Sequence, residues 1–180
     1  MKLYLKSFEV FILCCGLSVA LVAQTPTSRF TDNEDGTVLD YRTGLLWQKC
    51  PAGLGSETAD HVSTCGVRNT GHENGSSTVY SWVNALKYCN GSLSQKPPVL
   101  PAGKSWRLPN INELKSIVDR SQLNPAMDTS VLLIGGGEYF WSSTTTDSNR
   151  AAGWAVNFFY GTSYATGDKD FGYHVRCVSN

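Results

Sequence analysis

The sequence predicts one α+β domain with antiparallel sheet, and three observations support this prediction. Short alternating apolar segments, bounded by turn residues, follow residue 28 and fill the last third of the chain. Two segments between them, 80–89 and 106–119, place apolar residues at helical spacing. The length of 180 residues and the apolar fraction of 41% suit one globular unit with a full core. Strands, two helices and further strands in this order are typical of the α+β class.

The charge balance argues against one class of function. The chain has 15 Lys and Arg residues against 15 Asp and Glu residues, so its formal net charge is zero. A nucleic-acid binder needs a basic stripe that displaces counterions from phosphates. We therefore expect no nucleic-acid partner, whereas a neutral or weakly charged ligand remains compatible with the composition.

Residues 1–23 have the three parts of a secretory signal peptide. Lys2 and Lys6 precede an apolar run over residues 10–22, and small residues follow it. The run is shorter than the roughly 20 residues that a bilayer helix needs. No later stretch is apolar enough to span a membrane. We therefore expect an exported mature domain at 24–180, located in the periplasm, on the cell surface or in the medium.

The mature domain keeps an even number of cysteines, namely Cys50, Cys65, Cys89 and Cys177. In an oxidising compartment this predicts two disulfides, for which three connectivities are possible. A local bridge between Cys50 and Cys65 would reduce the conformational entropy of the unfolded loop, which stabilises the folded state by about 3 kcal/mol. No cysteine pair has the spacing of a zinc site and no histidine pair accompanies them, so we expect no metal.

The first predicted element is a strand, turn and strand at 28–48, followed by a loop at 50–77 that is rich in Gly, Ser and Thr. Asp35-Gly36 between apolar residues is a strong turn signal. The acidic segment 32–36 also resembles part of a calcium loop. The distant glutamate of the helical calcium motif is missing, so a plain turn is favoured over bound calcium.

Two helices are predicted next, joined by a proline-rich connector at 96–101 that cannot be helical. The first covers 80–89, and Asn90-Gly91 ends it. The second begins after Asn110, because Glu113 three residues later completes a capping box. The inward face is predicted to hold Trp82, Val83, Leu86 and Cys89 in the first helix and Ile111, Leu114, Ile117 and Val118 in the second.

The last third predicts strands at 139–145, 152–158 and 173–178, with turns at 147–149 and 160–162. Four tryptophans are expected in the core, Trp47, Trp106, Trp141 and Trp154. Two arginines that flank apolar strands, Arg107 and Arg176, are expected to make structural ion pairs.

Several segments are similar, in the same order, to the Lcl C-terminal domain family, which is named for the end domain of a bacterial collagen-like adhesin. The segments are RFTDNEDGTVLDYRTGLLWQKC at Arg29–Cys50, WRLPNINELKSIVD at Trp106–Asp119, YFWSSTT at Tyr139–Thr145, WAVNFFYG at Trp154–Gly161 and YHVRCV at Tyr173–Val178. The resemblance covers nearly all of the mature chain. It implies a C-type lectin-like fold, with two helices packed on antiparallel sheet and long ligand-carrying loops. It also implies an exported bacterial protein, and the namesake binds sulfated polysaccharide and host surfaces.

The resemblance further implies a disulfide pattern. Lectin-like domains join a cysteine of the first helix to one on the last strand, which corresponds here to Cys89 and Cys177 and leaves Cys50 with Cys65. The chain departs from its relatives in two ways: it contains no collagen repeat, and it lacks the Glu-Pro-Asn and Trp-Asn-Asp signatures of animal C-type lectins. The second departure argues against calcium-dependent coordination of sugar.

Catalytic patterns are missing from the sequence. The histidines, His61, His72 and His174, have no metal-ligand spacing. Residues 161–165 differ from a nucleophile elbow in one residue and lie in a hairpin setting. Formylglycine-generating oxidases share the lectin-like fold and use reactive cysteines, but here every mature cysteine has an expected structural partner. We therefore expect no enzyme, no catalytic residue and no cofactor, and an enzyme related to those oxidases is the least favoured alternative.

The favoured function is binding of a glycan or of a host or cell surface, at the 145–173 loops. Aromatic faces stack on sugar rings or proteins, and arginine forks pair with sulfate or carboxylate. The candidate ligand-binding residues are Asn149, Arg150, Tyr160, Tyr164 and Lys169. The alternative is a structural or protein-partner-binding surface subunit without a glycan ligand. The partner is thus a polysaccharide or a surface protein, and the oligomeric state is open.

Overall fold

The structure is a computed structural model that describes residues 28–54, 65, 78–132 and 139–180. The expected signal peptide and most of the predicted 50–77 loop lie outside the described residues. Among the residues described, no helix is both long enough and apolar enough to cross a membrane.

Seven strands and two helices make up the described part of the chain. In chain order they are β1 (Phe30–Asp32), β2 (Thr37–Asp40), β3 (Leu45–Gln48), α1 (Trp82–Cys89), α2 (Ile111–Ser116), β4 (Tyr139–Thr145), β5 (Gly153–Asn157), β6 (Thr162–Thr166) and β7 (Val178–Ser179). The strands form two antiparallel sheets, one in the order β1-β2-β3-β7 and one in the order β4-β5-β6. The predicted α+β class is confirmed.

The two helices pack on opposite faces of the three-stranded sheet, because neighbouring residues of a strand point to opposite faces. On one face Phe140 and Val156 share a core cluster with Leu114 of α2, and the four-stranded sheet joins this cluster. On the other face Trp141 and Ala155 pack with residues of α1. The three-stranded sheet is therefore the middle layer of the described structure.

Helix α1 begins two residues later than predicted. Cys89, Trp82 and Leu86 of its predicted inward face lie in or against the core, but the fourth residue of that face does not. Tyr88 and Cys89 are buried, whereas Val83, which was predicted to face the core, is 50% exposed. Long-range contacts select the buried face: Gln48 Nε2 donates to the Tyr88 hydroxyl at 2.8 Å, and Cys89 is bonded to Cys177. Val83 lies on the side of the helix away from these contacts.

Both predicted helix ends are confirmed. Helix α1 ends at Asn90, and Gly91 follows with a φ of +76°, a conformation that glycine adopts at little cost. At the start of α2, the Asn110 side chain accepts from the Glu113 backbone N–H at 2.9 Å, and the Glu113 carboxylate accepts from the Asn110 N–H at 2.8 Å. Arg107 pairs with both oxygens of the same carboxylate at 2.7 Å, as the predicted ion pair requires.

The predicted strand at 173–178 is wrong for most of its length. Tyr173 bridges to Tyr80, His174 bridges to Phe140, and only Val178 belongs to β7. The segment crosses between the two sheets, so it pairs with a succession of different elements and cannot form one continuous strand. Strand β6, which follows the predicted 160–162 turn, was not predicted.

Both expected disulfides are confirmed. Cys50 is bonded to Cys65 and Cys89 to Cys177. The first bond closes a sequence separation of 15 residues beside a small cluster with Leu54. The second joins the end of α1 to the residue that precedes β7 across a separation of 88 residues. Two disulfides are consistent with an extracytoplasmic location.

Only two of the four tryptophans that were expected in the core are fully buried. Trp47 and Trp141 are fully buried, but Trp106 and Trp154 are half-buried. Trp154 belongs to β5, and its cross-strand partner is Ala165 of the exposed edge strand β6. The small alanine side chain leaves part of the Trp154 indole uncovered.

Arg176 is buried and acts structurally. Its Nη1 donates to the backbone oxygens of Gln48 and Lys49 at 2.6 and 2.5 Å. The guanidinium therefore links the segment before β7 to the end of β3.

Candidate ligand-binding surface

A row of four aromatic side chains includes residues from both outer strands of the three-stranded sheet, Tyr139 of β4 and Tyr164 of β6. The rings of Tyr164 and Tyr139 are 6.1 Å apart in an edge-to-face arrangement. Tyr139 stacks on Tyr173 at 5.1 Å, and Tyr173 stacks on Phe171 at 6.3 Å. Tyr164 and Phe171, at the two ends of the row, are 51% and 53% exposed. We refer to these four residues as the aromatic row.

The middle of the aromatic row is supported from below. The Tyr173 ring lies 4.6 Å from the ring of Trp141, which is fully buried. Trp141 Nε1 donates to the Tyr80 backbone oxygen at 2.8 Å, and two backbone hydrogen bonds join Tyr80 to Tyr173. These contacts hold Tyr173 in place before any ligand arrives, which lowers the entropic cost of binding.

The tyrosine hydroxyls of the row influence one another. Burial raises the pKa of Tyr173 above its ordinary value of 10.0, and the nearby Tyr164 and Tyr139 raise it further. A hydrogen bond with Thr166 opposes part of this rise. The Tyr173 phenol is therefore protonated at neutral pH and can both donate and accept hydrogen bonds.

Three of the five predicted binding residues lie together at one end of the three-stranded sheet. Lys169 Nζ donates to the Arg150 backbone oxygen at 2.8 Å and lies 4.0 Å from the centre of the Trp82 ring. The Asn149 side chain accepts from the Ala151 backbone N–H at 2.9 Å. Lys169 therefore links the two loops, Asn149 stabilises the turn within its own loop, and Arg150 is exposed.

The other two predicted residues are separated from this group. Tyr164 lies in the middle of β6 and belongs to the aromatic row. Tyr160 is 61% exposed and packs on Phe159 in the turn between β5 and β6. The register pairs Asn157 with Thr162 next to this turn, so Tyr160 lies at the opposite end of the sheet from Arg150.

Sequence analysis missed the contribution of Tyr139. This residue begins β4 and was assigned only to a strand. Successive side chains of a strand point to opposite faces of the sheet, so the apolar Phe140 could have indicated that Tyr139 lies on the other face. No local signal indicates that Tyr164 and Tyr173 lie beside it, because that proximity depends on the pairing of β6 and on the path of the 173–178 segment.

The acidic 32–36 segment forms a hydrogen-bonded turn. Asp32 accepts from the Glu34 backbone N–H at 3.0 Å and forms an ion pair with Lys49. Asp35 accepts from the backbone N–H of Thr37 at 2.9 Å. These carboxylates are therefore engaged by backbone N–H groups of the turn and by Lys49. In the described ranges, no three His, Cys, Asp or Glu side chains are arranged to hold a metal ion.

Comparison with known proteins gives one result. The model of the Lcl C-terminal domain family matches residues 36–179. No curated protein and no solved structure matches the chain. The matched range contains the aromatic row, the two helices and both disulfides.

Proposed function

The chain belongs to the Lcl C-terminal domain family, and from this membership and the aromatic row we propose that it is an exported, non-catalytic ligand-binding domain with a C-type lectin-like fold. Its ligand is a glycan, either free or displayed on a host or cell surface. The aromatic row is the single observation that carries this proposal.

The chemistry of the row suits a sugar chain. Aromatic faces offer apolar area for the C–H faces of sugar rings, and tyrosine adds a hydroxyl at the edge of each ring. The four rings follow one another at spacings of 5.1 to 6.3 Å, so they present a track rather than a single contact. Half of the surface of each end residue is exposed and available to a ligand.

The charge of the protein favours modest affinity for anionic sugars. Signal removal would take away Lys2, Lys6 and Glu9, which leaves one more acidic than basic residue in the mature chain. The protein therefore has no long-range attraction for polyanions. Arg150 and Lys169 provide local positive charge, and added salt should weaken their contribution over a screening length of about 10 Å at 0.1 M.

The test begins with a glycan array on the disulfide-bonded mature chain, followed by variants of the row. Tyr164→Ala should weaken binding of the selected glycan by roughly fivefold, which corresponds to about 1 kcal/mol of lost ring contact. Tyr41→Ala is the matched control, because Tyr41 is 49% exposed and lies outside the row. Equal losses in the two variants would contradict a site at the row.

A second comparison separates the row from other parts of the surface. Replacing Arg150 and Lys169 by alanine should weaken binding of an anionic glycan, whereas replacing Asp32 and Asp35 should not. Loss of binding only in the acidic pair would move the site to the 32–36 turn and favour a calcium-dependent mechanism. Loss in Tyr160→Ala without loss in Tyr164→Ala would move the site to the opposite end of the sheet.

A protein partner is the second candidate, and strand β6 favours it. Only β5 pairs with β6 among the described strands, four of the five β6 residues are exposed, and its sequence TSYAT carries no charge. An uncharged edge strand can pair with an extended segment of another chain. A glycan array without hits, together with a concentration-dependent increase in mass by light scattering, would favour this function.

A further inference from the structure

A cleft of about 510 Å³ lies between the end of α1 and the segment that leads to α2. One wall is formed by residues 89–91, and the other by 96–100 and 104–106. The volume falls within the range of small-molecule sites. None of the lining residues belongs to the aromatic row, so the cleft is separate from the proposed glycan site.

The walls of the cleft are largely apolar, and part of their backbone is held rigid by prolines. Val99 is 88% exposed, which leaves a whole apolar side chain uncovered at the cleft. Trp106 is half-buried, and its indole N–H already donates to the Pro98 backbone oxygen at 2.6 Å. Pro97 and Pro98 have fixed φ angles. The site is therefore preformed, and the indole presents mainly apolar surface to a ligand.

The charge of the lining has one sign. Lys96 and Lys104 are both exposed and both line the cleft, and the lining residues that the structure describes include no Asp or Glu. Lys104 Nζ donates to the Asn180 backbone oxygen. An ammonium group has three donors, so this contact leaves donors for a ligand. In a protein of zero formal charge, two lysines beside apolar walls select for an anion locally.

We propose that this cleft binds a small organic anion whose apolar body is a flat ring system. Its carboxylate or sulfonate lies between the ammonium groups of Lys96 and Lys104, and its ring lies against Val99 and Trp106. This inference goes beyond the glycan-binding function and does not depend on it.

The experiment uses three probes of similar size on the disulfide-bonded mature chain: naphthoate, the uncharged naphthylmethanol and the cationic naphthylmethylammonium. Two-dimensional NMR titration should show naphthoate binding most tightly, with shifts at the Trp106 indole N–H and the Gly91 amide. Equal affinity for the three probes, or naphthoate shifts that avoid these two groups, would overturn the proposal.

Variants then test the role of the charges. Replacing Lys96 and Lys104 by alanine should weaken naphthoate binding roughly tenfold, since each exposed charge contact contributes up to about 1 kcal/mol. Replacing both by arginine should retain binding. The matched control replaces two exposed cations outside the cleft, Lys115 and Arg120, by alanine. A loss in the control as large as in the lysine pair would show that only net charge matters and would reject the site.

One last variant separates this cleft from the glycan site. Tyr164→Ala should leave naphthoate affinity unchanged, because Tyr164 lies outside the cleft. A thermal melt of each variant shows that it is folded, and naphthoate affinity that is undiminished in the folded alanine pair would also reject the proposal.

Discussion

Removing the Cys89–Cys177 disulfide should destabilise the domain more than removing Cys50–Cys65. The sequence separations are 88 and 15 residues. On the chain-entropy model, the two disulfides reduce the conformational entropy of the unfolded chain and thereby raise its free energy by about 4.6 and about 3 kcal/mol, respectively, at 25 °C. The expected difference from this effect alone is about 1.6 kcal/mol.

Packing adds to this difference in the same direction. Cys89 and Cys177 lie in the core cluster beneath the aromatic row, together with Tyr88 and Trp141. Removing both sulfur atoms there leaves a small void, and unfilled volume in a core is destabilising. Cys50 and Cys65 share a satellite cluster with few members. The total difference between the two alanine pairs should therefore be about 2 kcal/mol.

Equilibrium unfolding in urea measures this difference. Each pair is replaced by alanine, and peptide mapping without reductant confirms that the remaining disulfide is intact. Fully reduced parent protein provides the lower limit of stability. Equal destabilisation by the two pairs, or a larger effect from the Cys50–Cys65 pair, would refute the reasoning, and mapping that joins Cys50 to Cys89 or Cys177 would overturn the connectivity itself.

Three further predictions concern single side chains. Asn110→Ala should lower the free energy of unfolding by about 1 kcal/mol, because the backbone N–H of Glu113 loses its cap acceptor, and a thermal melt measures this. Arg176→Met should destabilise by about 3 kcal/mol in urea unfolding, since two backbone carbonyls lose a buried donor. His174→Gln should flatten the acid side of the stability curve. Burial lowers the pKa of His174 from its ordinary value of 6.5, so the unfolded chain gains the proton more readily and stability falls as the pH drops below 6.5.

Each of these predictions has its own control. Asn112 is exposed within the same helix, so Asn112→Ala should leave the melt nearly unchanged. An equal effect at both asparagines would mean that helix propensity, not capping, explains the loss. Arg176→Lys keeps a charge and hydrogen-bond donors and should lose less stability than Arg176→Met, and full stability in Arg176→Met would contradict the role of the two hydrogen bonds. A His174→Gln curve parallel to that of the parent would remove the histidine from the acid response.

Local chemistry explains why much of the fold could be predicted. The Asn110–Glu113 capping box uses residues three positions apart, and the Asn90-Gly91 end needs only a residue that tolerates positive φ. Strand β4 has its predicted bounds, and the predicted second helical stripe lies in or against the core, with Leu114 and Ile117 buried. These signals act within one turn or one strand, so they can be recognised before the chain is folded.

Long-range contacts decided what the sequence left open. The apolar pattern of α1 does not decide whether Val83 or Tyr88 faces the core. The disulfide from Cys89 to Cys177 and the hydrogen bond to Tyr88 cause Tyr88 to be buried and Val83 to be exposed. The 173–178 segment alternates like a strand, but its backbone partners belong to several elements.

The candidate sites show the same division. The sequence by itself determined the even number of cysteines, and it predicted an export signal and the residue types of the candidate binding surface. Only the tertiary structure brought Tyr139, Tyr164 and Tyr173 together and placed Tyr160 away from Arg150. It alone formed the cleft between residues 89–91 and 96–106. The physical reason is that a turn or cap is stabilised by neighbours in the chain, whereas a surface row or a cleft exists only after distant segments have packed.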